Sequence, residues 1–153
     1  MPNIAIYCYP VIYKTDDKKE NITDNIIEIE KKLEAQNVNV NWTIIGKGVC
    51  KEELVNQWID KQNCNFFEPV NTIEVFNILH NQDIFVFPTN FEGTPVSILE
   101  SIACGVVPIV NDLPGGIRDI VLAEIGFRCT LNNLDEFVNT INAGIKYGKN
   151  LID

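Results

Sequence analysis

The chain has 153 residues, of which 46% are hydrophobic and 22% charged, with a formal net charge of −9. That is the composition of one globular domain able to bury roughly two-thirds of its unfolded surface. The acidic balance excludes nucleic-acid backbone binding as the main task, because such partners need a basic footprint, and no apolar run approaches the roughly 20 residues of a membrane span.

The first strand is expected over Asn3–Tyr9. Its apolar stretch is too short, and lacks the basic start, for a signal peptide, which points to a cytoplasmic location. Five cysteines, Cys8, Cys50, Cys64, Cys104 and Cys129, form no CxxC pair; they read as free thiols of a reducing compartment. Those in strand-like segments read as small buried hydrophobes. The loop Pro10–Glu20 carries Lys14, Lys18 and Lys19 but no GxGxxG fingerprint, which argues against hydride chemistry on NAD. Lysines beside Asp16 and Asp17 read either as diphosphate counter-charges or, more commonly, as solvated surface groups.

Ile22, Ile26, Ile29 and Leu33 recur at helical spacing and predict the first helix. A second strand, Asn39–Ile45, runs into Gly46-Lys47-Gly48, where glycine lets the backbone turn sharply. Leu54, Val55, Trp58 and Ile59 place one apolar stripe on the second helix, and strand three is expected over Asn63–Phe67. Asn71 followed by Glu74 is a capping-box pattern that opens a third helix bearing Val75, Ile78 and Leu79. His80, the only histidine, ends that helix and reads as a surface residue, not a general base.

Strand four, Asp83–Phe87, leads into the segment EGTPVSILE. Thr94 is a natural N-cap and Pro95 an ideal first helical residue, so a helix should begin there with its free N–H groups facing the loop of Glu92. An anion or a cluster of hydroxyls suits such a place. From Gly93 through Val110 the only charged side chain is Glu100, and a carboxylate in so apolar a setting costs several kcal/mol unless something hydrogen-bonds to it. Ser97 and Ser101 sit in no GxSxG elbow. Nothing fixes Glu92 and Glu100 at a hydrolytic separation, and no HExxH or CxxC motif supports a metal. Strand five is expected over Val106–Val110. Gly115 and Gly116, after Pro114, make either a plain turn or a close backbone approach to a ligand. Strand six, Ile125–Cys129, precedes a closing helix with Asn133 and Glu136 as its box and Leu134, Phe137, Val138, Ile141 and Ile145 as its buried stripe.

Six strands in alternation with helices predict an α/β fold: a single Rossmann-like, doubly wound parallel sheet of order 3-2-1-4-5-6. Strands one and four are then neighbours at the topological switch point. The loops Pro10–Glu20 and Pro88–Gly93 should face each other across the ligand crevice.

The string DIFVFPTNFEGTPVSILESIACGVVPIVNDLPGGIRDIV resembles the C-terminal nucleotide-sugar-binding domain of retaining GT-B glycosyltransferases related to glycogen synthase, in the full context of their Glu-x7-Glu motif. Upstream, Lys14 and Lys19 have the spacing of that family's Arg-x4-Lys diphosphate clamp, and Gly46 and Gly48 match its Gly-x-Gly turn. The resemblance implies that Glu100 accepts hydrogen bonds from the donor ribose, while Glu92 is the catalytic-site carboxylate beside the transferred sugar. It implies that backbone N–H groups of Gly93, Thr94, Val96 and Gly116 hold sugar and phosphate oxygens, and that Lys14 and Lys19 neutralise the diphosphate. The substrate would be a nucleotide sugar such as a UDP- or GDP-sugar, with no metal and no further cofactor required.

Four departures stand out: Lys14 replaces an arginine and loses its planar fork, Thr89 replaces a serine, Glu68 stands where glycine is usual, and Asp119 replaces a glutamate. Glu68 could alter base recognition near the end of strand three. The family's active site also lies between two such domains. Residues 1–153 would therefore be the donor half, its N-terminal acceptor domain being absent or supplied by a partner subunit, through which the cytoplasmic protein could meet a membrane. The competing expectation is a non-catalytic nucleotide-binding or partner-binding module, and the motif context disfavours a sugar-nucleotide epimerase.

Overall fold

A computed structural model describes residues 1–8, 22–46, 49–69, 71–88 and 96–147. Strands β1 (Asn3–Cys8), β2 (Asn41–Gly46), β3 (Cys64–Phe67), β4 (Ile84–Phe87), β5 (Val107–Asn111) and β6 (Phe127–Cys129) alternate with helices α1 (Ile22–Ala35), α2 (Val49–Trp58), α3 (Thr72–Leu79), α4 (Val96–Ala103), α5 (Gly116–Ile120) and α6 (Leu134–Tyr147). All neighbouring strands run parallel, in the order β3-β2-β1-β4-β5-β6. This is the expected doubly wound sheet, each predicted strand appearing within two residues of its bounds; Tyr9 lies outside the described residues.

The strands are nearly continuous apolar runs because both faces of the sheet are covered. Along β4 every residue is buried, and successive side chains alternate between layers. Ile84 and Val86 join Ile26, Ile29 and Leu33 of α1, Leu54 of α2 and Phe137 and Ile141 of α6 in one core. Phe85 and Phe87, stacked at 5.8 Å, join Leu79 of α3, Ile98 of α4 and Ile117 of α5 in the other. Each such side chain, fully buried, stabilises the fold by about 1.5–3 kcal/mol before entropy is counted.

The helix starts agree in part with the sequence expectation. Asn71 Oδ1 accepts from the Glu74 N–H at 2.9 Å, and Asn133 Oδ1 accepts from the Glu136 N–H at 3.0 Å. The reciprocal half of the second box is diverted, since Glu136 Oε2 takes the N–H of Thr130 at 2.9 Å. One expectation needs correction. Ile59 falls past the end of α2 and is 71% exposed, so the buried stripe ends at Trp58. Pro114 and Gly115 form a turn, with Gly115 at φ 88°, that leads into the five-residue helix α5 at Gly116. At Gly126 a Cβ would lie 2.5 Å from the Pro108 carbonyl oxygen, so only glycine lets β6 close against β5.

A buried polar cluster secures the amino edge of β2. Glu30 of α1 accepts from Trp42 Nε1 at 2.6 Å and pairs with Lys61 Nζ at 2.6 Å. Lys61 also reaches Glu34 at 2.9 Å and lies 5.6 Å from the Trp58 ring centroid. Paired in this way, Glu30 is tolerated in the core.

Candidate functional site

The topological switch point of this sheet lies between β1 and β4, the place where doubly wound folds bind ligands. β1 pairs with β2 along six residues, from Asn3 to Cys8, but with β4 only at Ile4↔Ile84 and Ala5↔Phe85. At the amino edge this junction is stapled: the Asn3 N–H donates to Asp83 Oδ2 at 2.8 Å, and the Asp83 N–H donates to the Asn3 carbonyl at 2.8 Å. Among the described residues no further β1–β4 pairing follows toward the carboxyl edge. There Asn25 of α1 donates its Nδ2–H to the carbonyl oxygen of Pro88, just past β4, at 3.3 Å. The carboxyl edge of the β1–β4 junction is the side on which doubly wound folds bind ligands.

Helix α4 descends from this edge after β4. Val96 is its first residue and is 56% exposed; Glu100, one turn on, is half-buried and shares its face. The charge of Glu100 reaches Cys104, whose thiol is pushed up first by burial and then by that carboxylate. Ser97 and Ser101 are buried, and the Ser101 hydroxyl donates to the Ile98 carbonyl at 2.8 Å, so that hydroxyl is engaged within its own helix. His80 is the C-cap of α3 and exposed, in agreement with its reading as a surface residue.

Gly116 opens α5 after the adjacent strand β5, so Val96, Glu100 and Gly116 come from two consecutive strand-to-helix units. Lys14, Lys19, Glu92, Gly93 and Thr94 lie outside the described residues, as do Lys47, Gly48, Thr89 and Pro95. Among the described residues no group of three or more His, Cys, Asp or Glu side chains could hold a metal ion.

Three features escaped the sequence reading. Asn25 is one. Asn111, a polar side chain buried at the carboxyl end of β5, is another. The third is Asp112, whose Oδ1 accepts from Arg118 Nε at 3.0 Å and Arg128 Nη1 at 3.4 Å while Oδ2 accepts from Arg118 Nη2 at 3.4 Å. Arg118 in particular holds the Asp112 carboxyl below its usual range. Only the local Arg118 spacing hinted at this pairing. Further along the same edge, an open depression of about 280 Å³ is lined by Phe67 at the end of β3, Glu68 and Pro69 just after it, and Glu74, Asn77 and Ile78 of α3.

Residues 11–150 match the family described as Glycosyl transferases group 1. One relative, the UDP-Gal:alpha-D-GlcNAc-diphosphoundecaprenol alpha-1,3-galactosyltransferase of Escherichia coli, is 35% identical over 68 residues, which make up 44% of this chain and 18% of the relative. Another, the N,N'-diacetylbacillosaminyl-diphospho-undecaprenol alpha-1,3-N-acetylgalactosaminyltransferase of Campylobacter jejuni, is 36% identical over 69 residues, 45% of this chain and 18% of the relative. Among solved structures, the lipopolysaccharide outer core galactosyltransferase WaaB superposes with a TM-score of 0.75 at 18% identity, covering 99% of this chain and 44% of that one. The aligned parts are well under two-thirds of these relatives' own lengths.

Proposed function

Because this chain belongs to the glycosyl transferases group 1 family, we propose that it is the donor-binding half of a retaining glycosyltransferase that takes a nucleotide sugar. The observation that carries the reading is that α4, the helix that bears Glu100, follows β4 at the β1–β4 topological switch point, where doubly wound folds bind ligands. In this reading Glu100 accepts from the two ribose hydroxyls, a charge-assisted pairing stronger than a neutral one. Lys14 and Lys19 neutralise the diphosphate as the sugar–phosphate bond breaks, a preorganised stabilisation of the departing charge. Glu92 is the carboxylate beside the transferred sugar, and the backbone N–H groups of Gly93, Thr94, Val96 and Gly116 hold its oxygens and those of the phosphates. The lysines take the charge-neutralising role, so the reaction needs no metal. The depression beside Phe67 suits the nucleobase, with Glu68 at its rim.

The acceptor belongs to a second domain or subunit. Two relatives are named for acceptors built on diphosphoundecaprenol, and a lipid-linked acceptor would bring this protein to a membrane surface through that second part. No helix among the described residues is long and apolar enough to cross one.

Calorimetric titration of the chain with UDP, GDP and their hexose conjugates tests the reading. One nucleotide series is expected to bind, and Glu100→Gln to weaken it by roughly 1–3 kcal/mol. A folded variant with unchanged affinity would remove Glu100 from the site. With the chain alone, a radiolabelled-donor assay should show binding without transfer, since half a cleft leaves water at the reacting centre.

A further inference from the structure

The chain has only two arginines, Arg118 and Arg128, and both donate to the same carboxylate. Asp112 stands one residue past β5, and its N–H donates to the Cys129 carbonyl of β6 at 2.7 Å, so its backbone is fixed to the sheet. Its carboxylate takes Nε and Nη2 of Arg118, in α5, at 3.0 and 3.4 Å, and Nη1 of Arg128, in β6, at 3.4 Å. The Asp112–Arg118 pair thus closes off residues 113–117. Leu113 and Ile117 point inward and are buried, while Pro114 and Gly115 form an exposed turn between them. Gly115 precedes α5 without a side-chain capping bond, and a Cβ built there would meet nothing within 4 Å. Glycine is therefore demanded by the φ of 88° and not by packing, and the flank of the turn is open. Five residues are far too few for a helix to be stable alone. This one is held by its apolar anchor beneath and by the arginine fork beside it, and a guanidinium fixes direction as well as charge, which an ammonium does not.

We propose that Asp112 and Arg118 are positioning residues that hold the turn of Pro114 and Gly115, and with it Gly116, in the orientation that meets the donor, while Arg128 steadies the carboxylate. The inference rests on the donor reading, in which the backbone of Gly116 meets sugar and phosphate oxygens. In that reading the nucleobase lies beside β3, and β5 is on the other side of the switch point, so the turn meets the far end of a nucleotide sugar. A nucleoside monophosphate ends before reaching it.

The test compares the wild-type chain with Asp112→Ala, Arg118→Ala, the two together, and Arg118→Lys in calorimetric titrations with UMP, GMP, UDP-hexose and GDP-hexose. For the nucleotide that binds, each alanine variant should weaken the hexose conjugate about fivefold, the weight of one hydrogen bond, with the monophosphate changing less than about twofold. The double variant should lose no more than either single one, because the two side chains act as a unit. Arg118→Lys keeps the charge without the fork and should recover less than half of the loss. Equal losses for both ligands, no loss, additive losses in the double variant, or full recovery with lysine would overturn the proposal.

A ligand-free readout separates this inference from the donor reading. The Asp119 N–H donates to the Gly115 carbonyl at 3.2 Å and so reports on the turn. In Asp112→Ala its hydrogen exchange should quicken, while that of Val106, bonded to the Ser101 carbonyl at 2.9 Å, stays unchanged. Unchanged exchange at Asp119 would sink the positioning role, whereas absence of nucleotide binding by the wild type would sink the donor reading alone.

Discussion

Arg118 grips Asp112 with two nitrogens, Nε on Oδ1 at 3.0 Å and Nη2 on Oδ2 at 3.4 Å, and thereby ties the first turn of α5 back to the end of β5. The side chains are 52% and 37% exposed, so the pair adds only a little stability and is sensitive to salt. Its signature is its pH dependence. Arg118 lowers the folded-state Asp112 pKa from its ordinary 3.8, so the contribution is present above about pH 3.8 and is lost as pH falls through the depressed folded value. Asp112→Asn should therefore be slightly less stable than the wild type at pH 6, and the two urea midpoints should converge as the pH falls below 3.8 through the depressed folded value. A gap that persists in acid would show that the variant acts through something other than this ion pair.

Lys61 anchors the amino-edge cluster through Glu30 and Glu34 at 2.6 and 2.9 Å. Lys61→Met would leave the buried Glu30 carboxylate with the Trp42 N–H but no cation, at a cost of roughly 3 kcal/mol. The low end of the range applies because Lys61 keeps some solvent contact. Trp42 and Trp58 lie 5.6 Å apart, so tryptophan fluorescence should follow the same unfolding transition. A loss below about 1 kcal/mol would mean that water replaces the lysine.

Removing both cations of the proposed clamp, with Lys14→Ala and Lys19→Ala together, should weaken nucleoside diphosphate binding more than monophosphate binding. Diphosphate affinity of the wild type should also fall with ionic strength, because the contact is one of charge. Titrations in EDTA should match those without it. Equal losses for the two nucleotides would place the lysines away from the distal phosphate.

Burial pushes the Cys64 thiol up to about 12 and the Cys129 thiol up to about 11. The nucleophile is the thiolate, so both should resist iodoacetamide at pH 8 in the native chain and react readily in urea. Peptide mass spectrometry reads the two sites separately. Rapid native labelling of Cys64 would contradict the burial that raises its pKa.

The alternation of apolar runs with helical stripes determined the fold in outline, because burial on both faces of a parallel sheet writes itself into every strand and the crossover rule orders them. Local hydrogen bonding was equally legible: Asn71 and Asn133 cap their helices because donor and acceptor lie three residues apart. The chemistry at the edge was legible only through resemblance, as with Glu100, whose surroundings in sequence are apolar. What the tertiary structure alone decided are the contacts between distant segments. Asn25 meets Pro88, Glu30 meets Trp42 and Lys61, Arg128 joins Arg118 on Asp112, and Gly126 passes the Pro108 carbonyl. Helix α5 belongs with them, since five residues opening on glycine are too short to show a period. Periodicity reports which face of an element is buried, and it is blind to which side chain from across the fold arrives there.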